Sequence, residues 1–226
     1  MRAEDILLKK IEIQGSYNDH RLRIPVLRIH DQKGELQASA EWDKSSGHLN
    51  ASILSGLDMA PLLHAQGKGT GPLSKLSFPD PPRLSLDVKG NTLADPRGIT
   101  ATGEFFAPKI EFGNARFKEA EIHFSWRDRV FYARDIRVMA PRGELTAMLW
   151  AGPGDLRLKA HTSIPPNYLA DLFDPNTKAF LQNMEFEDLP DISASLRASR
   201  LEFPSISGNA HLKLGRTANR GAWIDS

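Results

Sequence analysis

The sequence predicts a mostly β protein: an elongated, curved antiparallel sheet built from repeats, with a few short helices. Three observations predict it. Apolar and polar residues alternate with a period of two along most of the chain, turn residues punctuate that alternation at short intervals, and the pattern returns later in the chain.

The alternation is explicit in each segment. From Glu35 to Trp42, Leu36, Ala38, Ala40 and Trp42 fall on one face and Glu35, Gln37, Ser39 and Glu41 on the other. Leu49, Ala51 and Ile53 alternate with His48, Asn50 and Ser52, and Leu84, Leu86 and Val88 with Ser85, Asp87 and Lys89. Ile122, Phe124 and Trp126 alternate with Glu121, His123 and Ser125. Leu145, Ala147 and Leu149 are spaced by two, and Leu156, Leu158 and Ala160 alternate with Arg157, Lys159 and His161. Successive strand side chains point to opposite faces, so each segment has one apolar and one wet face, the antiparallel pattern.

Turn signals separate the segments at Tyr17-Asn18-Asp19, Asp31 to Gly34, Lys44 to Gly47, Trp126-Arg127-Asp128, Pro141-Arg142-Gly143 and Gly152 to Asp155. Three short helical pieces are predicted, at Asp58 to His64, Pro166 to Phe173 and Thr177 to Gln182. Gln66 to Pro72 reads as a linker.

A shift of 143 − 34 = 109 residues carries Gly34-Glu35-Leu36 onto Gly143-Glu144-Leu145. The same shift pairs Ile13 with Ile122, Asp19 with Asp128, Arg28 with Arg137, Ala38 with Ala147, Leu49 with Leu158 and Ala51 with Ala160. Pro82 to Val88 resembles Pro190 to Leu196, and Ile110-Glu111-Phe112 resembles Leu201-Glu202-Phe203, each followed by Gly-Asn-Ala (Gly113 to Ala115, Gly208 to Ala210). These matches predict three units: a partial first repeat over 1–70, a second over 71–187 and the start of a third over 188–226.

Composition narrows the function. The 29 basic and 28 acidic residues give a net charge of +1, without the clustered positive excess that nucleic acid requires. No cysteine is present, so disulfides and thiolate chemistry are excluded. No apolar run reaches the length of a membrane-spanning helix, and Met1 to Asp5 lacks a signal-peptide core. The seven histidines form no metal-binding spacing. Gly67-Lys68-Gly69-Thr70-Gly71 has the wrong spacing for a phosphate loop. Asp128, Asp135 and Glu144 show no spacing that makes an acid pair, and no serine sits in a nucleophile elbow. A non-enzymatic protein without metal or cofactor is expected.

Short helices cannot cover an apolar face of this extent. The sheet must close on itself or curl into a trough occupied by a ligand. End-to-end units favour the trough. Its predicted lining is Leu36, Ala38, Leu49, Ala51, Ile53, Leu84, Leu86, Val88, Ile122, Phe124, Leu145, Ala147, Leu149, Leu156 and Leu158, with Glu121, Arg157 and Lys159 outside.

An alternating strand leads into Leu57-Asp58-Met59-Ala60-Pro61-Leu62-Leu63 and again precedes Tyr168-Leu169-Ala170-Asp171-Leu172-Phe173. Arg134-Asp135-Ile136-Arg137-Val138 precedes Gly143-Glu144-Leu145. In these segments the chain resembles the AsmA-like family, which includes TamB and YhdP relatives, and more broadly the repeating β-groove lipid-transfer proteins. The resemblance implies a taco-shaped groove in the periplasm. It implies that phospholipid acyl chains are the bound partner, conducted between inner and outer membranes in outer-membrane biogenesis. It also implies an inner-membrane anchor outside this chain, which is then expected to be a fragment or a truncated paralogue. The alternatives from other classes are a non-enzymatic β scaffold or envelope-assembly module, and a barrel carrying one small hydrophobic ligand.

Overall fold

The computed structural model describes residues 8–57, 75–93, 98–172, 175–199, 206–219 and 222–224. The first strands are β1 (Lys10–Asn18), β2 (Arg21–His30), β3 (Glu35–Asp43) and β4 (His48–Ser55). After a short β5 (Leu76–Ser77) come the long β6 (Arg83–Asn91) and β7 (Ile99–Ala107), then the short β8 (Ile110–Phe112) and β9 (Ala115–Phe117). The second half begins with β10 (Glu119–Arg127), β11 (Val130–Met139), β12 (Glu144–Gly152) and β13 (Asp155–Thr162). A 3₁₀ segment (Pro166–Leu172) and helix α1 (Pro175–Gln182) lead to β14 (Met184–Phe186). The described chain closes with β15 (Asp191–Ala198), β16 (Ile206–Lys213), β17 (Thr217–Asn219) and β18 (Ala222–Ile224).

Twelve of these strands form one sheet in the order β1-β2-β3-β4-β6-β7-β10-β11-β12-β13-β15-β16, with every neighbouring pair antiparallel. The sheet is open: β1 and β16 end the order and do not pair with each other. Two three-stranded sheets, β5-β8-β9 and β14-β17-β18, stand beside it.

The two margins of the large sheet differ. One is made of short connections such as Asp19-His20, Lys44 to Gly47, Asp128-Arg129 and Pro153-Gly154. The other carries the short strands β5, β8, β9, β14, β17 and β18, the 3₁₀ segment Pro166–Leu172 and α1, which lie in the connections β4–β6, β7–β10 and β13–β15 and after β16. The buried core follows that second margin. Phe78 and Ile110 pack with Ala107 and Ala120, flanked by Leu76, Phe105, Phe117 and Val138. Tyr168, on the 3₁₀ segment, ties β9 down. Its hydroxyl accepts from the Arg116 amide at 2.9 Å and donates to the Arg116 carbonyl, and its ring meets Phe117 edge-on at 5.7 Å.

Turn chemistry explains the hairpins. Asp19 and His20 (φ 46° and 62°) and Asp128 and Arg129 (φ 52° and 63°) are all left-handed. Positive φ at both central residues gives the turn whose twist matches the flanking strands, and aspartate tolerates it best after glycine and asparagine. Each turn begins at the last residue of its signal, Asp19 of Tyr17-Asn18-Asp19 and Asp128 of Trp126-Arg127-Asp128. Gly34 and Gly143 bring two strands close at the opposite margin: a Cβ on Gly34 would strike the Gly56 carbonyl, and one on Gly143 the Ser163 carbonyl.

The expected helical piece at Pro166 to Phe173 is a 3₁₀ segment through Leu172, opened by the Tyr168 amide on the Pro165 carbonyl at 2.9 Å. That at Thr177 to Gln182 is a helix extended back to Pro175, a residue suited to the first helical position. The piece at Asp58 to His64 and the linker Gln66 to Pro72 lie outside the described residues.

Two alignments need correction. With β3 set on β12 by the 109-residue shift, the register does not set β4 on β13 by the same shift. Ala38 pairs with Ile53 while Ala147 pairs with Ala160, so that superposition offsets β4 and β13 by 160 − 53 = 107. The first hairpin has a four-residue connection and the second has two, which removes two residues and preserves the face. The likeness of Gly113-Asn114-Ala115 to Gly208-Asn209-Ala210 has no structural counterpart. The former turns between β8 and β9, and the latter lies inside β16. Of the expected unit boundaries, that at 70/71 falls between β4 and β6, which are sheet neighbours, and that at 187/188 falls between β14 and β15.

Candidate functional site: an unpaired apolar sheet face

The site candidate is one face of the large sheet. Directly opposed residues in an antiparallel sheet point to the same side, so the register identifies each face. Start at Ile13 on β1. It opposes Leu27, which opposes Ala38, then Ile53, Leu86, Gly103 and Phe124. The row continues through Ala133, Leu149, Leu158 and Leu196 to Gly208 on β16. It crosses every strand without meeting a polar side chain.

A second apolar row runs from Ile24 through Ala40, Ala51, Val88, Ala101, Trp126, Phe131, Ala151 and Leu156 to Ala198. On the other side, Leu36 and Leu84 flank Ser55, and Leu145 and Ile192 flank Thr162. These two hydroxyls are engaged by the backbone. Ser55 Oγ accepts from the Leu57 amide at 3.3 Å, and Thr162 Oγ1 accepts from the Ile164 amide at 3.0 Å. Ala147 belongs to a row that starts at Ile136 and continues through the small residues Ala160, Ala194 and Ala210.

The cross-strand register therefore brings all fifteen residues of the predicted lining onto one face. None of the fifteen is buried and none is fully exposed. Sheet neighbours shield each from the side; among the described residues the small sheet β5-β8-β9 covers the margin at Phe105, Ala107, Ala120 and Val138, and Ser55, Ala133 and Ala198 on the same face are buried as well. With strands about 4.8 Å apart, the rows extend roughly 50 Å along the sheet. Three rows make an apolar surface on the order of 1,000 Å², well beyond the few hundred Å² ordinary for a protein surface.

The opposite face is ionic. Arg21 meets Asp43 at 3.0 Å, Arg23 meets Glu41 at 2.9 Å and Arg137 meets Glu144 at 3.1 Å. Asp155 lies between Arg157 and Arg197, and both arginines hold its carboxyl below the ordinary range, Arg157 more strongly. Trp150 is on this side, with the Arg157 guanidinium 5.0 Å above its ring. Glu121, Arg157 and Lys159 all lie on this face. Exposed ion pairs contribute about 0–1 kcal/mol each, so their main effect is to keep this face in water. Asp128, Asp135 and Glu144 each stand beside an arginine, namely Arg127, Arg134 and Arg137. A depression of about 440 Å³ among Glu121, His123, Asp135, Arg137, Lys159 and His161 is also lined by Thr146 and Met148 and by Ile136, Ala147 and Ala160, so its wall is not purely ionic.

The alternation also puts Ile192, Ala194, Leu196 and Ala198 on one side of their strand, and the register joins them to this face, whereas Leu27, Phe105, Ala133 and Ile136 were not read from the sequence as members of it. For the residues of β2 and β11 the reason is a β-bulge in each. Among the described residues no helix is long and apolar enough to cross a membrane. Comparison with family models, curated proteins and solved structures finds no match.

Proposed function

We propose that the apolar face binds phospholipid acyl chains and lets them slide along its rows. The observation that carries this is the uninterrupted row from Ile13 to Gly208, apolar on every strand of the large sheet, with all its members but the buried Ala133 open in part to solvent. Each buried methylene is worth roughly 0.8 kcal/mol, so a two-chain lipid resists transfer to water by on the order of 20 kcal/mol. A continuous apolar strip removes that barrier by keeping the chains covered at every step, while a head group stays hydrated at a margin. The row direction is perpendicular to the strands, so adding strands lengthens the path without changing its chemistry.

The path is built, in this reading, from two copies of a nine-strand unit, β1–β9 and β10–β18. Three features support the duplication. The two left-handed turns, at Asp19-His20 and Asp128-Arg129, and the two bulges, between Ile24 and Leu27 and between Ala133 and Ile136, all correspond at 133 − 24 = 109. In both halves one short strand precedes two long ones and two more short ones, with the three short strands forming the small sheet. Ser55 and Thr162 place the same backbone-bonded hydroxyl at the same point of the face.

The resemblance to AsmA-like proteins is what favours the periplasm, between inner and outer membranes, as the setting of this activity. Native mass spectrometry of the protein purified from a diderm bacterium tests the binding. Adducts of phospholipid mass are expected, and a bare chain after gentle release would leave a β scaffold as the better reading.

A further inference from the structure

We propose that the two edges of the large sheet, β16 and β1, are complementary and join end to end between copies of this chain. The inference rests on the two-unit reading and not on lipid binding. Inside the chain, the seam between the two units is the pairing of β7 with β10. There Phe106 opposes Glu121, Phe105 opposes Ile122, Glu104 opposes His123 and Gly103 opposes Phe124.

The same seam can be written for the free edges. Ser85 pairs with Glu104 and Ser193 with His211, so β7 corresponds to β16 at 211 − 104 = 107. Asp19 and Asp128 share the same left-handed turn, so β1 corresponds to β10 at 128 − 19 = 109. Carried through both shifts, the internal seam opposes Lys213 to Glu12, Leu212 to Ile13, His211 to Gln14, Ala210 to Gly15 and Asn209 to Ser16. Every pair matches in character: a charge with its opposite, apolar with apolar, polar with polar. A slip of one residue would set Leu212 against Glu12 or Gln14 and turn one strand's apolar side to the wet face.

Exposure agrees. At the internal seam Phe105 and Ile122 are half-buried and Ala120 is 3% exposed. At the free edges Leu212 is 54% exposed, Ile13 64% and Ile11 57%. Among the described residues β1 pairs only with β2 and β16 only with β15. Two different edges of one molecule make a heterologous contact, which generates open chains and not a closed dimer. The apolar rows would then continue from one copy into the next.

The natural absence of cysteine makes the register directly testable. Opposed Cα atoms in an antiparallel pair lie about 4.5–5.5 Å apart, within disulfide range. Ile13→Cys combined with Leu212→Cys should give, under mild oxidation, a ladder at multiples of the 25.1 kDa chain. Ile13→Cys with Lys213→Cys, one residue out of register and on opposite faces, should give none. In sedimentation velocity the natural chain should grow with concentration. Lys213→Glu, which faces Glu12, should weaken that association by about tenfold, and Glu12→Lys in the same chain should restore it. A chain that stays monomeric at high concentration and gives no ladder overturns the proposal, as does a ladder of equal yield from the slipped pair. Either result leaves the acyl-chain reading intact, because lipid adducts are measured separately.

Discussion

The ring of Phe124 lies over Gly103. A Cβ at residue 103 would come within 2.6 Å of Phe124 Cζ and 2.5 Å of the Ser85 carbonyl oxygen. The two residues are directly opposed on β7 and β10, so the missing side chain on one strand is the space the other fills. Phe124 in turn stacks on Phe131 at 5.8 Å, which extends the aromatic surface across the middle of the sheet.

Gly103→Ala should therefore destabilise the protein. The new methyl meets a backbone carbonyl as well as the ring, and only the ring can move. Overpacking of this kind costs about 1–3 kcal/mol, read as a lower urea midpoint with an unchanged slope. An equal or higher midpoint would mean that the close approach is not tight.

The acid limb of stability should report Asp43. Its carboxyl is held down to about 2, first by the Ser46 amide, then by Arg21. The ordinary value is 3.8. The folded value is the lower one, so the stabilisation is present above the ordinary value and is lost as pH falls through about 2. Carboxyl NMR titration should find Asp43 still ionised at pH 3, and Asp43→Asn should remove part of the stability change in the window between those values. Titration of Asp43 at the ordinary carboxylate value would contradict the turn geometry.

Tyr168→Phe should loosen β9 without disturbing the large sheet. The lost hydroxyl served both the amide and the carbonyl of Arg116. A net loss of about 1 kcal/mol is expected, with faster hydrogen exchange at the Arg116 amide and unchanged exchange in β12 and β13. Uniform loss of protection would mean that the small sheet and the large one open together.

Much of the sheet is legible in the sequence because a period of two survives wherever one face is wet. Glu35 to Trp42 and Leu156 to His161 could be assigned to faces by counting alone. The bulged strands could not be read that way. In β2 the apolar positions change parity, from Leu22 and Ile24 to Leu27 and Ile29, and in β11 from Phe131 and Ala133 to Ile136 and Val138. That change of phase is itself the sequence signal of a bulge, and both halves carry it at the same place. The small sheets were not legible. Strands as short as Leu76–Ser77 and Ile110–Phe112 have too few residues to show a period, and long-range pairing alone defines them.

The most direct measurement compares lipid occupancy in three forms of this chain by native mass spectrometry: the natural sequence, Ala147→Asp and Lys159→Asp. Ala147 lies on the apolar face and Lys159 on the ionic one. A carboxylate at 147 can stay hydrated on an open face, so all three should fold with similar melting temperatures. Phospholipid adducts are expected on the natural protein and on Lys159→Asp, and a loss of at least about tenfold on Ala147→Asp, the penalty of setting a hydrated charge against an acyl chain. Equal occupancy in a stably folded Ala147→Asp protein would contradict the acyl-chain reading of this face.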